Sequence, residues 1–136
     1  LTPTYHLYEM FMPHRGGRVV PCAVDGVPHF DTERSQRRRR ASVSASVNAA
    51  GTELFLSIVN LDDKAAESVC IDLASRAEWK PVEARRMAGT SRNDFNDFGG
   101  AGSRVAPHAM ALWPAAGSFV VEAPPLSLTT VKLRRG

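Results

Sequence analysis

Residues 41–60 read ASVSASVNAAGTELFLSIVN, and their pattern sets the fold class. Ala41, Val43, Ala45 and Val47 alternate with Ser42, Ser44 and Ser46. A period of two puts the apolar set on one face of a strand and the hydroxyls on the other. Residues 48–51, NAAG, supply turn chemistry, and 52–60, TELFLSIVN, form a second strand-like run. The spacing predicts a β-hairpin with a four-residue connection around Gly51.

Short runs of the same kind lie on both sides. Upstream, RVVPC (18–22) is an extended piece suited to a sheet edge, because Pro21 cannot donate to a ladder. GVPHFDTERSQ (26–36) reads as a loop. Downstream, the turn LDDKAAE (61–67) leads into SVCIDL (68–73), with Val69, Ile71 and Leu73 inward. WKPVEARRMAG (79–89) is a longer strand ending at Gly89. Residues 90–117 are irregular and rich in Asn, Asp, Gly and Pro; a stretch of that length is functional or docks against something. SFVVEA (118–123) and LSLTTVKL (126–133) suggest a last hairpin around Pro124-Pro125. There the apolar phase switches from Leu126 and Leu128 to Val131 and Leu133, which calls for a bulge near Thr129-Thr130 or burial of both faces. Seven or so strands separated by turns imply an all-β fold, an antiparallel β-sandwich. The scarcity of helical pattern argues against a parallel α/β sheet.

The exception is LTPTYHLYEMF (1–11). Thr2 suits an N-cap, Pro3 the first helical position, and Met12-Pro13 ends the helix. Tyr5, Leu7, Tyr8, Met10, Phe11 and Met12 spread over roughly 220° of its circumference. A helix on the surface of its own domain needs a stripe about half that wide. Each such side chain left in water forfeits about 1.5–3 kcal/mol. The helix therefore calls for cover on more than one side, and a covering part outside this chain is expected.

The 136 residues match one ordinary domain, and 43% hydrophobic with 23% charged residues are globular values. No run of 18 apolar residues marks a membrane span, so no membrane partner is expected. No secretory signal pattern opens the chain, and a cytoplasmic location is the expectation. Cys22 and Cys70 have no metal spacing; they read as small buried thiols, with a bridge between them as the alternative. The net charge of +3 draws heavily on ERSQRRRR (33–40), with Arg34 and Arg37 to Arg40. Such a run is an anion patch or a solvated loop; no aromatic is interleaved to stack bases, so no nucleic-acid partner is expected.

Several motifs in order resemble glycoside hydrolase family 51 α-L-arabinofuranosidases. Thr2-Pro3-Thr4-Tyr5-His6, a short apolar helix and His14 are similar to that family's last barrel helix and its exit. Val59-Asn60-Leu61 matches the end of its paired strands, and Asn93, Asn96 and Phe98 its Asn-x-x-Asn-x-Phe loop, followed by Val105 and Pro107. PPLSLTTVKL, with Ser127, resembles its closing strand. The chain departs in Phe95, where the family commonly has His, in the glycine-rich stretch after Phe98, and in ERSQRRRR. The resemblance implies a jelly-roll β-sandwich over 18–136, preceded by residues 1–17, the helix left over from a (β/α)8 barrel. It implies an accessory C-terminal domain whose parent removes terminal α-L-arabinofuranosyl groups from arabinan and arabinoxylan with retention. The two glutamates that do so would lie on the missing N-terminal catalytic barrel, the expected partner. It also implies a homo-oligomeric parent, arabinose-containing oligosaccharides as the parent's ligands, and a sandwich that takes in one strand from the start of the full-length protein, leaving an unpaired edge here.

A retaining glycosidase needs two carboxyls about 5–5.5 Å apart with separated pKa values. Glu9, Asp62, Asp63, Glu83, Asp94 and Asp97 are scattered over helix, turn, strand and loop, so no catalytic residue is expected in this chain. His6, His14, His29 and His108 lack ligand spacing, so no metal or cofactor is expected. Trp113, Trp79 and Phe95 are candidates for a sugar-stacking platform, the basis of an alternative reading as a carbohydrate-binding module; core packing is the competing reading. Tyr5, Tyr8, Phe11, Asn93, Asn96 and Phe98 are the candidate interdomain contacts.

Overall fold

The structure is a computed structural model that describes residues 1–26, 29–32, 35–73, 79–98, 105–113 and 118–136, with the side chains of 29–38 outside the description. Helix α1 (Pro3–Phe11) begins as expected: the Thr2 hydroxyl accepts from the backbone N–H of Tyr5 at 3.1 Å. A short 3-10 turn, Met12–His14, follows it. The strands are β1 (Arg18–Val20), β2 (His29–Thr32), β3 (Ser35–Arg39), β4 (Ala41–Val47), β5 (Glu53–Asn60), β6 (Glu67–Ile71), β7 (Trp79–Ala88), β8 (His108–Ala109), β9 (Phe119–Ala123) and β10 (Ser127–Arg135). No helix among the described residues is long and apolar enough to cross a membrane.

The main sheet has the order β1-β4-β5-β10-β7-β8, and every pairing in it is antiparallel. β6 and β9 form a second, two-stranded sheet, and β2 and β3 a separate hairpin. The alternation in 41–60 places the layers. Ala45, Leu54, Leu56 and Ile58, joined by Val131 and Leu133 of β10, face Ile71, Phe119, Val121 and Ala123 of the smaller sheet. On the opposite face of the main sheet, Val59, Met87 and Leu128 receive Met10 and Phe11 of the helix, with Val105 beside them. The result is an all-β sandwich with one short helix on its outer side. β5 and β10 are sheathed on both faces, and that accounts for the phase switch: Leu128 turns to the helix, Val131 and Leu133 to the smaller sheet.

Four expectations need correction. The irregularity in β10 lies between Lys132 and Leu133, later than Thr129-Thr130, where Lys132 pairs with Glu83 and Leu133 with Pro81. Val82 is left over, next to a proline that has no N–H for the ladder. Residues 118–133 are not a hairpin: β9 pairs with β6, whereas β10 lies between β5 and β7. The chain crosses between layers through Pro124-Pro125, with Leu126 at φ 49° and its N–H bonded to the Asp62 carbonyl at 2.9 Å. The span 26–36 was expected to be a loop, but its described part contains β2 and the start of β3, so Arg37 to Arg39 lie on a strand. Both cysteines are free and exposed instead of buried; Cys70 sits between the inward Val69 and Ile71 and so faces outward.

Candidate functional site

One side of α1 is fixed to the main sheet. Met10, 2% exposed, enters the cluster of Met87, Val105 and Leu128. Glu9 accepts from Arg85 Nη2 of β7 at 3.1 Å and lies 3.3 Å from His6 Nδ1. Its hydrogen bonds to His6 and Arg85 hold the Glu9 carboxyl below the usual range. At the helix exit, His14 Nδ1 lies 2.6 Å from Ser46 Oγ and Nε2 lies 2.6 Å from Ser57 Oγ. Desolvation pushes this imidazole below its usual pKa. Gly17 then lets the chain lie against β4: a Cβ there would stand 2.9 Å from the Val47 carbonyl oxygen.

The other side of the helix is bare. Tyr5, Leu7, Tyr8 and Met12 are 39–69% exposed. The loop after β7 lies beside it. Asp94 Oδ2 accepts from the backbone N–H of Thr90 and Ser91 and from the Thr90 hydroxyl, at 2.5, 3.0 and 2.9 Å. The Asn93 N–H reaches the Ser91 hydroxyl at 3.3 Å. Asn96 is the tie: Nδ2 donates to the carbonyls of Val105 at 2.7 Å and Leu1 at 2.8 Å, and Oδ1 accepts from the Val105 N–H at 2.8 Å. Leu7 of the helix and Ser91, Arg92 and Asp94 of the loop line one cavity of about 290 Å³. Asn96 is thus joined to the start of the helix segment through Leu1, while Tyr5 and Tyr8 stay exposed, Phe98 is fully exposed, and Phe11 turns toward the sheet.

The aromatic trio is placed differently. Trp113 donates from Nε1 to the Val120 carbonyl at 2.7 Å, and its ring sits 4.9 Å from that of Phe119. Trp79 packs against the sandwich core, with the Arg135 guanidinium 5.7 Å from its ring centre. Phe95 is 66% exposed and takes part in none of the ring pairs among the described residues. The acids are employed locally. Asp62 Oδ1 accepts from the N–H groups of Lys64 and Ala65 at 2.8 Å each, and Oδ2 pairs with Arg40 at 3.0 Å. Arg40 also reaches Glu67 at 3.6 Å, Arg39 is exposed, and the side chains of Arg37 and Arg38 lie outside the described residues.

β6 pairs with β9 alone among the described strands. Its other side faces a cavity of about 630 Å³, walled by residues 20–26 and 67–73 and floored by Ala41, Val43, Ala45, Leu54 and Leu56. Ser46 and Ser57, the partners of His14, had no signal in the sequence, since they lie 32 and 43 residues away from it.

Among curated proteins no relative matches the chain. Solved structures do. A family 51 arabinofuranosidase from Xanthomonas axonopodis pv. citri superposes with a TM-score of 0.80 at 22% identity, over 98% of this chain and 26% of its own. The α-L-arabinofuranosidase of Thermotoga maritima, solved with arabinose, gives 0.82 at 20% identity, over 98% and 29%. A family 44 xyloglucanase of Paenibacillus polymyxa gives 0.51 at 20% identity, over 70% and 16%. This chain therefore spans less than a third of the arabinofuranosidases whose fold it shares. The family described as Alpha-L-arabinofuranosidase C-terminal domain matches residues 1–127, and the chain belongs to that family.

Proposed function

We propose that this chain is the supporting β-sandwich of an α-L-arabinofuranosidase, and that hydrolysis takes place on a catalytic barrel outside it. The parent enzyme removes terminal non-reducing α-L-arabinofuranosyl groups with retention, using two glutamates of the barrel. The sandwich, of jelly-roll type, stabilises the barrel and supports contacts between subunits of a cytoplasmic homo-oligomer. The observation that carries this reading is the two-sided helix: Met10 is spent on the sandwich, while Tyr5 and Tyr8 face outward at 52% and 69% exposure. A barrel seated on that flank would bury them, at about 1.5–3 kcal/mol for a large side chain fully covered. The slot beside β6 supports the same reading, because its length of strand edge and apolar floor suit one extended segment from elsewhere in the parent. Both indoles are occupied with protein packing, which favours the supporting role over sugar binding.

The decisive assay compares the chain alone with the full-length protein on an aryl α-L-arabinofuranoside. Turnover is expected only where the barrel is present. Enzymatic rates from the 136-residue chain would end the proposal.

A further inference from the structure

The His14 side chain ties the helix exit to two strands at once. Its two ring nitrogens meet Ser46 Oγ of β4 and Ser57 Oγ of β5, both at 2.6 Å. The two serines are 4% and 1% exposed. A neutral imidazole has one N–H and one lone pair, so one serine accepts from the ring and the other donates to it. A protonated ring has no lone pair. The donating serine then loses its acceptor and must turn its buried O–H elsewhere, and the new charge has no carboxylate hydrogen-bonded to the ring.

The surroundings offer that charge little help. On that face β4 presents Ser42, Ser44 and Ser46, and β5 presents Glu53, Phe55, Ser57 and Val59; the Phe55 ring lies 6.3 Å from that of His14, and Glu53 is paired with Lys132 and Arg134. Glu83 of β7 and Lys132 of β10 line the same cavity of about 160 Å³ as His14, one of each sign, and Lys132 pairs with Glu53 at 3.1 Å. Cys22, after β1, shares a second cavity with His14, and partial desolvation raises its thiol pKa. Arg15 follows in the chain and adds a positive charge. Among the described residues no carboxylate lies within ion-pair distance of the His14 ring.

We infer that His14 is an acid-released latch: its neutral imidazole fastens the helix exit to β4 and β5, and protonation loosens α1 from the sheet. The helix also carries the bare apolar flank, so acid would unsettle whatever rests on that flank. Desolvation already holds the imidazole toward its neutral form, in keeping with this geometry.

The test uses the full-length protein carrying this chain. Hydrogen–deuterium exchange at the imidazole carbon, followed by mass spectrometry, gives the midpoint of His14 itself, and amide exchange gives the protection of residues 3–14 on the same samples. The expected midpoint lies below the ordinary value of about 6.5, and amide protection, corrected for intrinsic rates, falls about tenfold or more with that same midpoint. His14→Gln, which bonds one serine and cannot be protonated, should be less protected but independent of pH. A midpoint at or above the ordinary value would overturn the latch. So would protection that does not follow the His14 titration, or an unchanged pH response in His14→Gln. The first two readouts need no variant, so they decide the matter even if the glutamine protein misfolds.

Discussion

The side-chain amide of Asn60, at the end of β5, donates to the carbonyl oxygen of Ala123, at the end of β9, across 2.9 Å. The bond joins the two layers of the sandwich, as does that from the Arg86 guanidinium of β7 to the Glu122 carbonyl of β9. The Asn60 Nδ2 also reaches the Ala65 carbonyl at 2.9 Å, and its Oδ1 accepts from the Asp62 N–H at 2.9 Å. Asn60 is 1% exposed, so its amide is satisfied by these protein partners.

Asn60→Ala should therefore destabilise the protein by about 2–4 kcal/mol, since it strips three hydrogen bonds and strands buried backbone groups. Urea unfolding checks this. A loss below about 0.5 kcal/mol, the size of an ordinary surface substitution, would show that the Asn60 amide does not hold the layers together.

Gly17 tests the seat of the helix exit. A methyl group there would stand 2.9 Å from the Val47 carbonyl oxygen, which is backbone in a paired strand and cannot yield cheaply. Gly17→Ala is expected to cost about 1–3 kcal/mol, the range seen for overpacking. Gly16→Ala meets no atom within 4 Å but has φ 75°, so its cost, about 1–2 kcal/mol, is one of backbone conformation. Thermal unfolding separates the two if Gly17→Ala also lowers exchange protection at Ser46 and Val47 while Gly16→Ala does not.

Ile58 is fully buried between the layers. Ile58→Ala should cost about 2–5 kcal/mol through lost transfer energy and the cavity left behind. Tyr8→Ser is the contrasting case. At 69% exposure it should leave the sandwich itself within about 0.5 kcal/mol of the parent, yet lower the thermal midpoint of the full-length enzyme if the barrel covers that flank. An unchanged midpoint in the full-length enzyme would remove Tyr8 from the interface.

Asp62 is expected to contribute to the acid limb of stability. The N–H groups of Ala65 and Lys64, with Arg40 beyond them, hold its carboxyl below the usual range in the folded protein. Its unfolded pKa is higher, so the folded state binds fewer protons across the interval between the two values. The contribution is present above the unfolded pKa and is lost as pH falls through the folded one. Asp62→Asn should flatten the stability profile over that acidic window and lower it above. A profile parallel to the parent's would assign the acid sensitivity to other carboxyls, Glu9 and Glu53 being next, since their own cationic partners also hold them low.

The sequence by itself determined the local periods. Alternation in 41–47, turn chemistry in 48–51 and the Thr2-Pro3 helix start are written into consecutive residues, and each appears where expected. The apolar girth of the helix likewise announced a need for two coverings, because hydrophobic arc length is a property of the helix alone. The structure then assigned Met10 and Phe11 to the sheet and left Tyr5, Leu7 and Tyr8 bare. Tertiary structure alone decided which strands became neighbours. β10 lies between β5 and β7, and β9 departs to β6, although Pro124-Pro125 read as a simple hairpin turn. It also decided that Ser46 and Ser57, ordinary outward hydroxyls by pattern, would converge on His14, and that Asn60 would bridge the layers. Strand order and such contacts depend on which apolar faces bury one another across tens of residues, and a period of two records only which face a residue is on, not what will cover it.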